Sequence, residues 1–203
     1  MKQQQNNPCF SQTLLFSRTW NIVLISFLAC LVFLLSGCGT QATSQTQTTR
    51  TNTVFMSSSW AEYYITIKDL KFHTDVAVHG TFVGVVRTIV KQKEQVYTDF
   101  AFHVIKAVYS HKLLTASVIT LRQEGGFYKN TYYQESDDPV FQRGEETFLF
   151  LREVSPNLYV VCGGPSGRFL VQNGRVKPIV KDGVQLLAST NVSNFISTIQ
   201  KTP

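Results

Sequence analysis

Two regions with different hydrophobic patterns divide the chain. Residues 22–35 form an uncharged apolar run, whereas from residue 75 onward apolar and polar side chains alternate in many short runs. Alternation with a period of two is typical of β-strands that bury one face. The pattern therefore predicts an N-terminal apolar segment followed by a β-rich domain.

Two long strands open the β-rich region. The first starts at Val76, and the second covers about residues 96–109, after a charged turn at 91–95. Gly80 and Gly84 lie inside the first strand, and glycines within a strand mark bulges or barrel corners. A bent hairpin of this length favours a closed barrel.

Shorter strands follow this hairpin. Asn173-Gly174 suits the positive φ angles of a type I′ turn and separates the last two strands, and Pro178 places the final one at an edge. The predicted short strands cover residues 113–121, 147–151, 158–162, 168–172 and 175–179.

Two helices complete the prediction. One is expected to begin at Thr66, which can cap it together with Asp69 three residues later. The other follows Thr190 as a cap and has apolar side chains at the spacing of one buried helix face, at Val192, Phe195, Ile196 and Ile199. Residues 60–203 are therefore predicted to form an all-β, mainly antiparallel domain: a small OB-like barrel with a short N-terminal helix and a C-terminal amphipathic helix.

The N-terminal region has the layout of a secretory signal. Lys2 and Arg18 precede the apolar run, which is shorter than the roughly 20 residues that a membrane-spanning helix requires. Small residues follow the run at Ser36 and Gly37. Residues 1–37 are therefore predicted to be a signal peptide.

The end of this signal, Leu35-Ser36-Gly37-Cys38, resembles the lipobox of bacterial lipoproteins. The resemblance implies cleavage before Cys38 and acylation of Cys38 through a diacylglycerol, with fatty chains such as palmitate. It implies a protein anchored to the membrane through Cys38 on the extracytoplasmic side. An ordinary signal peptide and an uncleaved anchor are the alternatives.

The stretch after Cys38 is polar and of low complexity. It is rich in Thr, Gln and Ser, and it cannot bury enough apolar surface to order itself. Residues 38–59 are therefore predicted to be the lipidated cysteine and a flexible tether with a reach of about 25 Å.

Charge and cysteine content argue against a nucleic-acid-binding protein and against a disulfide-stabilised fold. The formal net charge is +6, but the sequence has no run of lysines and arginines, so nucleic acid is not an expected partner. Cys9 and Cys30 leave with the signal and Cys38 is taken by lipid, so no intramolecular disulfide is expected. Cys162 stands alone in an apolar run and is predicted to be a small buried hydrophobe.

Four stretches of the domain carry a further likeness: residues 75–81, 97–100, 143–151 and 163–169. They resemble a loose group of uncharacterised bacterial secreted and lipid-anchored proteins, and more distantly the OB-like barrel of netrin and metalloproteinase-inhibitor modules. The resemblance implies an OB-like barrel. The cysteine framework of the netrin-like modules is absent, and an acylated Cys38 would not offer the free N-terminal cysteine amine that inhibits a catalytic zinc.

The sequence shows no metal or catalytic constellation. Of the four histidines, His79 and His103 alone are expected to face each other across the first hairpin, which gives two metal ligands at best. Gly163-Gly164-Pro165-Ser166-Gly167 lacks the spacing of a nucleophile elbow or a phosphate loop and is predicted to be a tight turn. We therefore expect no metal, no cofactor and no enzymatic activity.

Residues 123–146 are the one stretch of the domain predicted to be long and irregular, and such segments often bind partners. The alternative is that its aromatic rings cover one end of the barrel and its acids face water. The candidate partner-binding residues are Phe127, Tyr128, Tyr132, Tyr133, Asp137 and Asp138.

These observations lead to a functional hypothesis. The protein is expected to be a lipid-anchored extracytoplasmic domain that binds or supports another envelope component, either a protein or a glycan. An envelope hydrolase or a protease inhibitor is the alternative, and it requires acids and histidines in one cleft. A substrate-capture lipoprotein ranks lower, because such proteins usually close two lobes around their ligand.

Overall fold

The computed structural model describes residues 52–57, 60–91, 95–186 and 190–203. All of them belong to one unit that covers residues 49–203. The predicted signal peptide over residues 1–37, Cys38 and the tether up to residue 51 lie outside the described residues.

Within the described residues, the secondary structure consists of short and long strands with two helices. These are α1 (Ile67–Phe72) and α2 (Val192–Lys201), and a 3₁₀ turn covers Gly164–Gly167. The strands are β1 (Asn52–Met56), β2 (Val76–Val90), β3 (Val96–Ser110), β4 (Val118–Glu124), β5 (Gly126–Tyr128), β6 (Thr131–Glu135), β7 (Glu146–Ser155), β8 (Leu158–Val161), β9 (Arg168–Gln172) and β10 (Arg175–Pro178).

Five strands close into a barrel. Hydrogen-bonded neighbours follow the order β7-β2-β3-β4-β8, and β8 pairs again with β7. β4 and β8 run parallel, whereas the other neighbours in the barrel are antiparallel. β9 and β10 extend the sheet from β7. The predicted all-β, OB-like barrel is confirmed.

Bulges in the first hairpin allow this closure. The register between β2 and β3 shifts at four places along their length. Gly80 lies at one of them, and a Cβ atom there would fall 2.1 Å from the carbonyl oxygen of His103. The strands therefore approach each other more closely than any side chain at Gly80 would allow.

Residues 147–151 of β7 are buried on both faces, as their continuous apolar sequence predicts. Leu149 and Leu151 belong to a cluster to which all five barrel strands contribute, so this cluster fills the barrel. Phe148 and Phe150 belong to a second cluster that includes Phe195 of α2. Side chains alternate along a strand, so one strand serves both cores.

The helix caps agree with the sequence at one helix and differ at the other. The Thr66 hydroxyl accepts from the backbone N–H of Asp69 at 3.1 Å, as predicted for α1. At α2 the predicted cap, Thr190, is wrong by one residue, because the Asn191 side chain accepts from the backbone N–H of Asn194 at 2.8 Å. An asparagine carboxamide caps a helix as well as a hydroxyl does. Within the described residues, neither helix has the length and apolar content needed to cross a bilayer.

Three sequence-based boundaries need correction. Residues 52–56, assigned to the flexible tether, form β1, which pairs in parallel with β6. The third strand, predicted at 113–121, is β4 and begins only at Val118. Residues 123–146 are not irregular throughout, because β5 and β6 form a hairpin within them. Its turn places Lys129 and Asn130 at positive φ. Asparagine tolerates this conformation, but a Lys-Asn pair is only a weak indicator of such a turn in a sequence.

Candidate functional site

The barrel has an open seam between β4 and β8. The two strands pair only where Thr120 and Leu121 face Leu158 and Tyr159. Beyond that point residues of both strands line a cavity of about 390 Å³, which we call the seam pocket. Side chains that line the seam pocket include Trp60, Lys91, Tyr97, Arg122, Glu124, Asp138, Val154, Val160 and Val161.

Trp60 forms one wall of the seam pocket and is fixed on two sides. Its indole packs against Gly164, where a Cβ atom would lie 2.3 Å from Cε3 of the ring. Its Nε1–H donates to Asp137 at 2.8 Å. Gly164 has a φ of 54°, so a glycine meets both the backbone and the packing requirement at this position.

The predicted tight turn at residues 163–167 thus serves as a platform for aromatic rings. Tyr64 approaches Gly163 as Trp60 approaches Gly164. The Ser166 hydroxyl donates to the carbonyl of Gly163 at 2.8 Å and accepts from the backbone N–H of Tyr64 at 3.1 Å. Ser166 therefore has a structural role in this turn.

Another part of the wall of the seam pocket combines an aromatic ring with charges of both signs. Lys91 Nζ lies 4.8 Å from the centre of the Tyr97 ring. Glu124 stands beside them on β4, and burial together with the nearby Glu135 raises the pKa of its carboxyl. The valines of β7 and β8 add apolar surface to the lining. This combination suits a ligand with an apolar part and hydrogen-bonding groups.

Asp99 anchors the charged wall. Its carboxylate is fully buried and accepts from Arg122 Nε at 2.7 Å and from Arg87 Nε at 2.8 Å. The three residues lie side by side on β2, β3 and β4. Burial works to raise the pKa of the Asp99 carboxyl, but the hydrogen bonds from Arg122 and Arg87 outweigh it and hold that pKa below its usual value.

This arrangement predicts a pH dependence of stability. A carboxyl whose pKa is lower in the folded state contributes stability above its unfolded pKa of about 3.9, and this stability is lost as the pH falls through the folded pKa. The free energy of unfolding of the natural protein should therefore fall more steeply between about pH 5 and pH 2 than that of Asp99→Asn. Urea unfolding curves across this range measure both slopes, and equal slopes would contradict the assignment.

A second buried network lies beside the seam pocket. Arg168 is only 2% exposed, and its guanidinium donates to Asp138 at 3.0 Å and to Glu145 at 2.7 Å. The guanidinium carbon lies 4.2 Å from the centre of the Phe141 ring. Burial raises the pKa of the Asp138 carboxyl, and Arg168 opposes that rise. The network fixes the segment that follows β6.

The predicted partner-binding residues do not converge on one site. Phe127 is exposed on β5, while Tyr128, Tyr132 and Tyr133 are half-buried along the same hairpin. The two acids have separate tasks, since Asp137 holds Trp60 and Asp138 holds Arg168. Of the six predicted partner-binding residues, Asp138 lines the seam pocket.

The histidines also lie apart. His79 is buried, stacks on Phe148 and shares a hydrogen bond of 2.7 Å with Glu146. His103 is exposed and faces Thr81 across the hairpin, so the predicted His79–His103 pairing is wrong. Bulges shift the register between β2 and β3, which the sequence spacing could not reveal. In the described part of the chain no group of three or more metal-ligating side chains occurs.

Cys162 behaves as its sequence context predicts. Its side chain is buried, and its thiol donates to the carbonyl of His73 at 3.3 Å. Burial raises the pKa of the thiol, which favours the unreactive protonated form.

Comparisons with known proteins do not assign the chain to a family. No protein-family model matches the chain, and no curated protein matches it. The seam pocket therefore has to be interpreted from its own chemistry. Sequence reasoning missed Trp60 because this residue directly follows the predicted tether, far from any other candidate residue.

Proposed function

We propose that the protein is a lipid-anchored, extracytoplasmic binding protein that holds another envelope component in the seam pocket. The observation that supports this proposal most directly is that Trp60 is preorganised: its ring packs on Gly164 and its indole N–H donates to Asp137. A side chain fixed in advance loses little conformational entropy on binding, so its contact area contributes more fully to affinity. The ligand is a protein segment or a glycan, because both combine apolar surface with hydrogen-bonding groups.

The sequence supports the anchor. The lipobox-like stretch ends at Cys38, and residues 39–51 separate Cys38 from the first strand. Two or more fatty chains hold a protein firmly at a bilayer, whereas one chain binds reversibly. The proposal therefore places the domain permanently beside the membrane.

The hydrolase alternative lacks a supporting observation. It requires His79, His103 and the acids of the segment after β6 in one cleft. The contacts described above instead bind His79 to Glu146 and Asp137 to Trp60. We therefore propose binding without catalysis.

The anchor and the pocket can be tested together. Replacement Cys38→Ala is expected to abolish incorporation of labelled palmitate and to release the domain from the membrane fraction.

A pull-down of the acylated protein from its own envelope is expected to recover one stoichiometric protein, or the protein is expected to sediment with purified envelope glycan. Trp60→Ala should abolish this binding, because it removes one wall of the seam pocket.

Phe72→Ala is the matched control. Phe72 is 80% exposed on α1 and does not line the seam pocket, so its loss should leave binding unchanged. Circular dichroism establishes that both variants are folded. Equal binding by Trp60→Ala and the natural protein would refute the seam pocket as the binding site.

A further inference from the structure

The N-terminal strand enters the fold beside the turn of the β5–β6 hairpin. Asn52, the first residue of β1, pairs with Thr131, the first residue of β6. Thr131 also pairs with Tyr128 across the two-residue turn formed by Lys129 and Asn130. The chain that leads back to Cys38 therefore emerges at the end of the sheet where this turn lies. We call residues 127–130 the hairpin tip.

The hairpin tip has the chemistry of a membrane interface. Phe127 is 53% exposed although it is a large apolar side chain. Tyr128 is half-buried, and the exposed Lys129 places its Nζ 5.1 Å from the centre of the Tyr128 ring. Aromatic rings and lysine side chains are favoured at the boundary between lipid headgroups and water, where an apolar body and a polar end are both satisfied.

The charge pattern of the adjoining chain also fits a lipid surface. Residues 39–56 contain one charged residue, Arg50, and residues 126–134 contain one, Lys129. Both are cationic. Anionic lipid headgroups attract basic residues at short range. No acidic side chain in these two stretches opposes that attraction.

The length of the intervening chain keeps the hairpin tip near the anchor. Thirteen residues, 39–51, separate Cys38 from β1, and a chain of this length spans at most about 45 Å. A domain anchored at Cys38 thus samples the bilayer surface continually. The end of the sheet from which the chain emerges meets that surface first.

We propose that the hairpin tip docks on the anionic surface of the membrane, with Phe127 in the headgroup region and Lys129 beside lipid phosphates. This inference rests on the proposed anchoring through Cys38. Docking would orient the domain on the bilayer. The seam pocket residues Glu124 and Asp138 precede and follow the hairpin in sequence, so they lie towards its base.

Fluorescence depth measurements on the full acylated protein test the proposal. The protein carries Cys162→Ala, so that a cysteine introduced by Phe127→Cys is the only free thiol for an environment-sensitive label. It is reconstituted in vesicles of phosphatidylcholine, with and without phosphatidylglycerol, that contain brominated lipids. We expect a blue shift and quenching of the label at position 127. Quenching should increase with phosphatidylglycerol.

Leu113→Cys in the same background provides the matched control. Leu113 is 90% exposed and follows the end of β3, whereas Gly126 at the base of the hairpin lies against Thr98 near the start of β3. Most of the length of β3 separates the two places, so a label at position 113 should show neither blue shift nor quenching.

Lys129→Gln should lower the ratio of docked to undocked protein by about fivefold, because one basic residue near an anionic surface contributes about 1 kcal/mol.

The outcomes separate the two proposals. Protein that floats with the vesicles but shows equal signals at positions 127 and 113 overturns docking and leaves the anchor intact. Protein that does not float refutes the anchor and removes the basis for docking. Protection of position 127 in native envelopes but not in pure lipid vesicles also overturns docking on lipid, because it shows that the hairpin tip binds a protein.

Discussion

Replacement of Arg168 by methionine is expected to lower the free energy of unfolding by about 3–5 kcal/mol, because it leaves two carboxylates without their partner in a buried network. Asp138 and Glu145 both accept hydrogen bonds from Arg168, and Asp138 is itself buried. Methionine keeps much of the apolar volume of the arginine stem, so the loss reports on charge rather than on a cavity. Urea unfolding monitored by tryptophan fluorescence measures the change.

Arg152→Met is the control for this prediction. Arg152 also pairs with a carboxylate, that of Glu62 at 3.1 Å, but the two side chains are 45% and 39% exposed. Exposed ion pairs contribute at most about 1 kcal/mol, so the control should unfold close to the natural protein. Similar losses in the two variants would show that burial of the Arg168 network has no special energetic consequence.

Replacement of Gly164 by alanine is expected to destabilise the protein and to disable the seam pocket. The new Cβ atom would lie 2.3 Å from the Trp60 ring, so the ring has to move and its hydrogen bond to Asp137 is disrupted. The left-handed backbone costs about 1–2 kcal/mol for a residue with a Cβ atom, and the clash adds about 1–3 kcal/mol. Unfolding curves give the loss of stability. A shift of the tryptophan emission and loss of partner binding report the displaced ring.

Gly174→Ala separates the two causes. Gly174 has a φ of 71°, close to that of Gly164, but a Cβ atom there meets no atom within 4 Å. This variant should therefore show the backbone cost alone, with unchanged Trp60 emission and unchanged binding. If Gly164→Ala is no less stable than Gly174→Ala, the packing of Trp60 on Gly164 is not a determinant of the site.

Local sequence signals predicted the strands and helices whose cause is local. Asn173-Gly174 indicates its hairpin because the turn itself demands positive φ, and Thr66 indicates α1 because its hydroxyl caps the helix. Lys129-Asn130 forms a similar turn but was missed, because lysine carries no preference for that conformation. β1 was missed for a different reason. Its pairing with β6 joins residues far apart in sequence, and the three apolar residues at the end of a polar stretch do not indicate which strand they pair with.

The sequence by itself determined that this protein has an all-β domain behind a segment that resembles a lipoprotein signal, because hydrophobic periodicity and the order of charged, apolar and small residues are read along the chain. Only the tertiary structure decided where a ligand could bind. Trp60, Gly164 and Asp137 are distant in sequence and meet through the closure of the barrel. Arg168 and Asp138 are also distant in sequence and meet in the folded protein. The burial of these side chains and the pairing of their charges result from tertiary packing, so the local sequence contains no pattern that predicts them.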